Sequence, residues 1–219
     1  MWALLAAALL SPQSDWHRNY DCWDHDRGGA TAPCWADIRA LYAAEPIEQL
    51  QRRGVQVRRI YFLDLVGRMP LDQRGHDVQA GMISIERAAG EAPRLVYYPA
   101  RRQGLVVTPI AARIAAADWD AVLAATDRVQ GWTTDEAGIC LHGWDLLVEA
   151  ADPQPGDARP VARRHERSCY AGRALAFATL AAQLAVRALA PCGTPQPRDE
   201  LWFQIEWLHR CSLPPRTRS

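Results

Sequence analysis

The chain has 219 residues, 49% of them hydrophobic, and its 25 basic and 25 acidic side chains give a formal net charge of zero. The apolar content argues against an intrinsically disordered chain, and the balanced charge argues against a broad nucleic-acid-binding surface. Every basic residue is arginine. Because lysine is absent, Schiff-base chemistry and a P-loop lysine are excluded.

The first ten residues, MWALLAAALL, form an apolar run that Ser11, Pro12 and then a charged segment follow. This resembles a short secretory signal peptide, although no arginine precedes the run and no clean cleavage site follows. We predict a signal peptide over residues 1–14 and one α+β domain over residues 15–219. The protein is then periplasmic or secreted, and the lysine-free composition is typical of a GC-rich bacterium. A buried N-terminal helix is the alternative for the leader.

The cysteine pattern supports export, since disulfides form in oxidising compartments. Six cysteines lie at moderate spacings, and we expect sequential neighbours to pair: Cys22 with Cys34, Cys140 with Cys169, and Cys192 with Cys211. Six thiols allow 15 connectivities, so the spacing favours this pairing without fixing it. The absence of a C-x-x-C motif weakens zinc-ribbon and thioredoxin-type interpretations.

The most apolar long stretch runs from Tyr170 to Ala190 and predicts an amphipathic helix. Its apolar face is a heptad-spaced alanine stripe with larger side chains on both flanks, and its polar face carries Arg173, Gln183 and Arg187. The interval between the two arginines is too short to cross a bilayer, so we expect no transmembrane span. Small side chains along the stripe favour close packing against a sheet. The stripe consists of Ala174, Ala178, Ala181, Ala185 and Ala188.

The remaining elements follow from periodicity and turn residues. We expect a helix over Ala36–Arg53 that Pro46 divides and Gly54 ends, a central strand over Val57–Val66, a hairpin around Ile83–Ile85 and Leu95–Tyr98, a helix within Ile110–Val129, and a strand over Ile139–Ala150. A break near Ala116 stays open for the helix that follows Pro109.

The strand Ile139–Ala150 and the following ARPVARRHER segment favour a second hairpin. One register sets Asp145 opposite Arg163, Leu147 opposite Val161, and Glu149 opposite Arg159, three compatible cross-strand pairs. The predicted fold is therefore an antiparallel sheet of about five or six strands. The Tyr170–Ala190 helix covers mainly one of its faces, and disulfides hold the terminal segments.

The segment after the leader offers a candidate metal site. His17, Asp21 and His25 are spaced four apart, which on a helix aligns an imidazole, a carboxylate and an imidazole. Two histidines and a carboxylate are a suitable ligand set for a divalent metal. The competing interpretation is a polar N-terminal arm, because Gly28 and Gly29 soon end any helix.

The C-terminal segment offers a candidate binding patch. Both alternation and helical spacing fit Asp199–Arg210, but the charges at its ends favour a helix. Leu201, Ile205 and Leu208 then dock on the core, while Phe203 and Trp207 point to the opposite side as an aromatic patch. The competing interpretation is that the Trp-rich N-terminal arm covers these two aromatics.

The chain lacks several common catalytic motifs, among them G-x-S-x-G, H-E-x-x-H, G-x-G-x-x-G and G-x-x-x-x-G-K-[ST]. With the cysteine framework and nine tryptophans, this leads us to expect a non-catalytic binding or interaction module without a cofactor. Its partner is then a protein, a peptide or a glycan, and no nucleic acid. The alternative is a metal-dependent hydrolase that uses His17, Asp21 and His25. The metal content of purified mature protein distinguishes the two.

The cysteine framework predicts three disulfides in the mature protein. We expect alkylation without reduction, followed by intact-mass analysis, to modify no thiol. Each such bond stabilises by about 2–4 kcal/mol. Alkylation of four or more thiols would contradict both the framework and the export inferred from it.

Overall fold

The computed structural model describes residues 42, 44–64, 81–99, 108–129, 132, 144–153, 161–168, 172–189 and 200–212. The elements in this part of the chain are, in order, α1 (Ile47–Arg52), β1 (Gln56–Asp64), β2 (Gly81–Arg87), β3 (Arg94–Pro99), β4 (Ile110–Arg113), α2 (Ala116–Ala125), β5 (Trp144–Ala151), β6 (Ala162–Ser168), α3 (Arg173–Ala188) and α4 (Leu201–Ser212). None of these helices is long and apolar enough to cross a lipid bilayer.

The six strands form one sheet in the spatial order β4, β3, β2, β1, β5, β6. All neighbouring pairs are antiparallel. This confirms the predicted α+β class with an antiparallel sheet of five or six strands. β1 is central, as its largely apolar sequence indicated, and β2 and β3 form the predicted hairpin. Gly90 in the hairpin turn has φ 76°, a conformation that glycine adopts without a Cβ clash.

The main hydrophobic core lies between one face of the sheet, here called the helical face, and side chains of α2, α3 and α4. Strand alternation places Ile60, Ile83 and Val148 on this face. In α3, the predicted alanine stripe is buried from Ala174 to Ala185, whereas Arg187 is exposed. Burial along α3 therefore follows the predicted helical period.

The N-terminus of α3 is tied to the edge of the sheet by one carboxylate. Glu166 on β6 is buried and accepts the backbone N–H groups of Ala174 at 3.1 Å and Leu175 at 3.3 Å. These donors have no partner inside the helix, and the positive end of the helix dipole stabilises the negative charge. Gly172 has φ 145°, and a Cβ there would lie 2.0 Å from Glu166 Oε1. A glycine is therefore needed for the cap to form.

The opposite face of the sheet, here called the polar face, contacts α1. Ile47 and Leu50 form a smaller apolar cluster with Val57, Ala151 and Val161. Gly54 ends α1 as predicted, with φ 78° and its N–H donating to Gln51 O at 3.0 Å.

The helix predicted within Ile110–Val129 is present, but it does not occupy the first residues of that range. Ile110–Arg113 is the edge strand β4, paired antiparallel with β3, and α2 starts only at Ala116. Exposure alternates along the four residues of β4, and the Ile114 N–H donates to the Pro93 carbonyl. Both observations show that pairing with β3 determines the extended conformation of this segment. Proline is common both directly before an edge strand and at the first position of a helix, so Pro109 did not distinguish a strand from a helix in this segment.

The β5–β6 hairpin exists, but its predicted register is wrong by four residues. Glu149 lies opposite Arg163, Leu147 opposite His165, and Asp145 opposite Arg167. Because four is an even shift, each strand keeps its faces. The observed register brings Arg163 between Glu149 and Glu48 of α1, and it brings Glu166 to the start of α3. Both are tertiary contacts with helices, and preferences for cross-strand pairs do not take such contacts into account.

The predicted C-terminal helix is confirmed as α4. Leu201, Ile205 and Leu208 are buried against the main core, and Glu206 forms an ion pair with Arg210 one turn later. The helix starts at Leu201, so Glu200 lies just before its first turn.

The packing of α3 predicts different responses at two of its positions. Ala181 is fully buried and Gln183 is only partly buried. We expect Ala181→Leu to overpack the core and to lower the free energy of unfolding by about 1–3 kcal/mol. Gln183→Leu should leave it nearly unchanged. Urea denaturation measures both variants, and equal effects would mean that the two faces are wrongly assigned.

Candidate functional site

The polar face carries a row of charged and polar side chains that spans five strands, with its centre buried. Its charged members alternate in sign, and the row lies at paired or adjacent register positions on β3, β2, β1, β5 and β6. We call this set the ionic row: Arg94, Glu86, Ser84, Arg59, Tyr61, Glu149 and Arg163. Burial of so many charges requires that each one finds a partner, because an unpaired buried charge is strongly destabilising.

Glu149 is the centre of one half of the ionic row. Its carboxylate is fully buried and accepts hydrogen bonds from the Tyr61 hydroxyl at 2.6 Å and from Arg163 Nε at 3.0 Å. Arg163 also pairs with Glu48 of α1. Burial raises the pKa of Tyr61 well above its ordinary value of 10.0, and the charge of Glu149 raises it further. Tyr61 is therefore a neutral hydrogen-bond donor at physiological pH.

Arg59 is the centre of the other half. Its Nε donates to Ser84 Oγ at 3.0 Å, Ser84 donates to Glu86 Oε1 at 2.7 Å, and Arg94 closes the chain on Glu86 Oε2 at 2.8 Å. The cavity beside Arg59 has a volume of about 30 Å³, too small for an organic ligand. The carboxylates of the row are thus matched by internal partners, and we assign the row an architectural role.

A larger depression lies on the helical side, at the end of the sheet where β1 begins and β5 ends. It consists of two adjoining hollows of about 610 Å³ and about 430 Å³ that meet at Ala124, Asp127 and Arg128, just after α2. Ligand sites in proteins fall in this size range. We call the pair the turn cleft. The larger hollow is lined by Gln51, Gln56, Arg58, Leu123, Ala124, Thr126, Asp127, Arg128, Val129, Ala150, Asp152 and Ala162; the smaller one is lined by Ala124, Ala125, Asp127, Arg128, Arg173 and Ala176.

Arg58 fixes the wall of the larger hollow. This buried guanidinium donates from Nε to Thr126 Oγ1 at 2.9 Å, from Nη1 to the carbonyls of Val57 and Ala151, and from Nη2 to Asp152 Oδ1 at 2.8 Å. Gln56 adds a second hydrogen bond to the same Asp152 oxygen. The arginine thus joins two strands to the end of α2, and internal hydrogen bonds hold the wall in place.

The turn after α2 is held from both sides. Thr126 accepts from Arg58, and the indole N–H of the buried Trp132 donates to Asp127 O at 3.1 Å. Between these anchors Arg128 adopts φ 55°, the left-handed region that disfavours residues with a Cβ. Strained residues of this kind concentrate at functional sites. The fold thus holds the arginine backbone in an unfavourable conformation directly over the cleft.

Three arginines without a strong acidic partner among the described residues lie around the turn cleft: Arg128 and Arg173, which are exposed, and Arg164, which is partly buried. The Arg128 side chain is 86% exposed, and its Nε lies 3.7 Å from Oδ2 of Asp127, which is 74% exposed, so this ion pair contributes little to stability. Arg173 in the smaller hollow makes no ion pair within the described residues, nor does Arg164, which shares a sheet face with Ala162 of the larger hollow. The acidic groups close by, Asp152 and Glu166, are engaged by Arg58 and by α3. Among the described lining residues, the three arginines Arg58, Arg128 and Arg173 outnumber the two aspartates Asp127 and Asp152, so this part of the cleft has a small net positive charge.

The residues singled out in the sequence have different places. His17, Asp21, His25 and the cysteines Cys22, Cys34, Cys140, Cys169 and Cys192 lie outside the described residues. Cys211 is buried in α4 and disulfide-bonded. Within the described part of the chain, no group of three or more His, Cys, Asp or Glu side chains is arranged to hold a metal.

The aromatic patch of α4 lies on one helix but is not fully outside. Phe203 and Trp207 are each partly buried, and Trp207 packs against the main core. Trp202 on the same helix is the more exposed aromatic, at 38%. The patch prediction stays open, since partly buried aromatics occur both in cores and in interfaces.

The sequence interpretation missed the turn cleft. One signal was present: two adjacent arginines, Arg58 and Arg59, interrupt an otherwise apolar central strand. Neighbouring strand residues point to opposite faces, so both had to be buried and paired. A second signal was Arg128 at a helix end where glycine is usual. The pairing of Arg58 with Thr126 joins residues 68 positions apart, which no local pattern reveals.

Comparison with known proteins gives no assignment: the chain matches no family model, no curated protein and no solved structure.

The conformation of Arg128 predicts opposite roles for its backbone and its side chain. We expect Arg128→Gly to raise the free energy of unfolding by about 0.5–1 kcal/mol, because glycine relieves the left-handed strain more than it adds unfolded-state entropy. Arg128→Ala keeps the strain and should leave stability nearly unchanged. Chemical denaturation checks the pair. Equal stabilities of the two variants would show that the turn stores no strain.

Proposed function

We propose that this protein is an exported, non-catalytic binding module, periplasmic or secreted, that holds its ligand in the turn cleft. One observation carries the proposal: the cleft wall and turn are fixed by internal hydrogen bonds, while exposed arginines at its rim have little internal compensation. A site whose frame is rigid before binding loses less conformational entropy when the ligand arrives. Rim charges without strong internal partners are available to that ligand.

The buried carboxylates support a binding role over a catalytic one. A general acid or base needs access to a substrate and a proton to exchange. Glu149 is enclosed by Tyr61 and Arg163, and Glu166 is occupied by the amides of α3. Both carboxylates therefore contribute to the stability of the fold through their internal hydrogen bonds.

Export is supported by the apolar leader and by the disulfide at Cys211, since such bonds persist in oxidising compartments. The proposal includes the pairings Cys22–Cys34, Cys140–Cys169 and Cys192–Cys211. It also includes the finer architecture in which α3 is the main cover of one sheet face and disulfides hold the terminal segments.

Blocking the cleft tests the proposed function. Ala124 is exposed and lines both hollows, so Ala124→Trp should fill them without disturbing the core. Ala117→Trp, at an exposed position two turns earlier on α2, is the matched control. In a thermal-shift screen with small organic acids, sugars and short peptides, we expect compounds that raise the Tm of the wild type and of Ala117→Trp but not of Ala124→Trp.

Each other outcome of the screen has a defined meaning. Compounds that stabilise Ala124→Trp as well as the wild type would place the site elsewhere. If they fail on the Phe203→Ser/Trp207→Ser double variant instead, the aromatic patch of α4 is the binding surface. A wild type that no compound stabilises would count against a small-ligand binding module.

A further inference from the structure

The smaller hollow of the turn cleft contains features that identify a class of ligand. Arg128 and Arg173 both line it, from the end of α2 and the start of α3. Arg173 has no ion pair within the described residues, and the Arg128–Asp127 contact of 3.7 Å joins two exposed side chains. Two arginines and one weakly engaged aspartate are thus the charged residues of the described lining.

Within the described residues, the other acidic groups near the hollow are engaged elsewhere. The carboxylate of Glu166 lies close to Arg173 in the chain fold, but it is buried and accepts the amides of Ala174 and Leu175. Asp152, at the far side of the cleft, accepts from Arg58 and Gln56. Because these acids are turned to internal donors, the hollow keeps a positive potential that attracts an anion.

The rest of the lining is small and apolar. Apart from Asp127 and the two arginines, the described lining consists of Ala124, Ala125 and Ala176. None of the described lining residues is aromatic, so none offers a ring on which a sugar or a base would stack. A short aliphatic body fits methyl groups, and a carboxylate fits the planar fork of an arginine.

We propose that the smaller hollow binds a small aliphatic carboxylate, with its charged groups between Arg128 and Arg173 and its carbon chain on the alanines. The proposal rests on the proposed function, since it names the ligand class of the same cleft. The volume of about 430 Å³ accommodates a dicarboxylate of a few carbons and excludes a large folded partner from this part of the site.

The test uses the full oxidised chain and two probes of nearly equal size, adipate and its neutral diamide, adipamide. Amide chemical shifts followed by NMR report binding in the range that a ten-atom ligand reaches, on the order of 1 mM. We expect adipate to bind in competition with salt and adipamide to bind at least about tenfold more weakly, because charge-assisted hydrogen bonds are replaced by neutral ones.

The variants locate the ligand. Arg173→Gln and Arg128→Gln should each weaken adipate binding by about tenfold, the loss of one charge-assisted hydrogen bond. Arg187→Gln is the matched control on the same helix, because Arg187 pairs with Asp118 and does not line the hollow. It should leave the adipate affinity unchanged. NMR spectra of the free variants confirm that each is folded.

Three results would overturn the proposal. Adipate affinity that neither arginine variant lowers would place the anion elsewhere. Equal binding of adipamide would show that charge does not select the ligand, while loss of that binding in Ala124→Trp would keep the cleft as a binding site and the proposed function intact. A folded wild type that shows no shift with adipate rejects the carboxylate class, and the screen with Ala124→Trp then decides the proposed function separately.

Discussion

The contact between the Glu166 carboxylate and the first amides of α3 connects the sheet to the helix that packs on it. A carboxylate in this position costs several kcal/mol in lost hydration, and two charge-assisted hydrogen bonds of about 1.5–3 kcal/mol each, together with the helix dipole, offset that cost. These two hydrogen bonds also constrain the two segments that they join, β6 and α3. They fix which residue of β6 reaches the helix, hence the register with β5, and they set the direction in which α3 leaves Gly172.

The ionic row on the polar face follows from the same register. A shift of β6 by two residues would keep its faces but would take Arg163 away from Glu149 and leave a fully buried carboxylate with one donor fewer. Breaking a buried ion pair in this way costs about 3–5 kcal/mol, more than most single contacts of the core. The ionic row therefore contributes to the specificity of the strand register. Apolar cross-strand pairs would tolerate neighbouring registers, whereas alternating charges favour one register.

The sequence predicted those elements whose local pattern agreed with their tertiary surroundings. The heptad alanines of α3 and the β2–β3 hairpin belong here, because periodicity and burial point the same way. Prediction was incomplete or wrong where a distant partner decided. The start of the helix within Ile110–Val129 stayed open, and Ile110–Arg113 is a strand because β3 offers an unpaired edge. The predicted β5–β6 register was wrong, because Glu48 and α3 set it. The turn cleft belongs to the second group, since Arg58 and Thr126 meet only after the sheet and α2 have packed.

The cleft combines rigidity and strain in a way that depends on this packing. Its wall is an arginine held by two strands and a helix end, and its turn is fastened by Trp132 beneath and Thr126 beside it. Such anchors are needed, because a non-glycine residue in the left-handed region relaxes unless its neighbours hold it. Contacts of the neighbouring residues thus fix the position of Arg128, although its side chain is 86% exposed and contributes little to the core. Glycine would adopt this conformation with less strain, and the presence of an exposed arginine here is one of the observations that support the proposed binding role of the turn cleft.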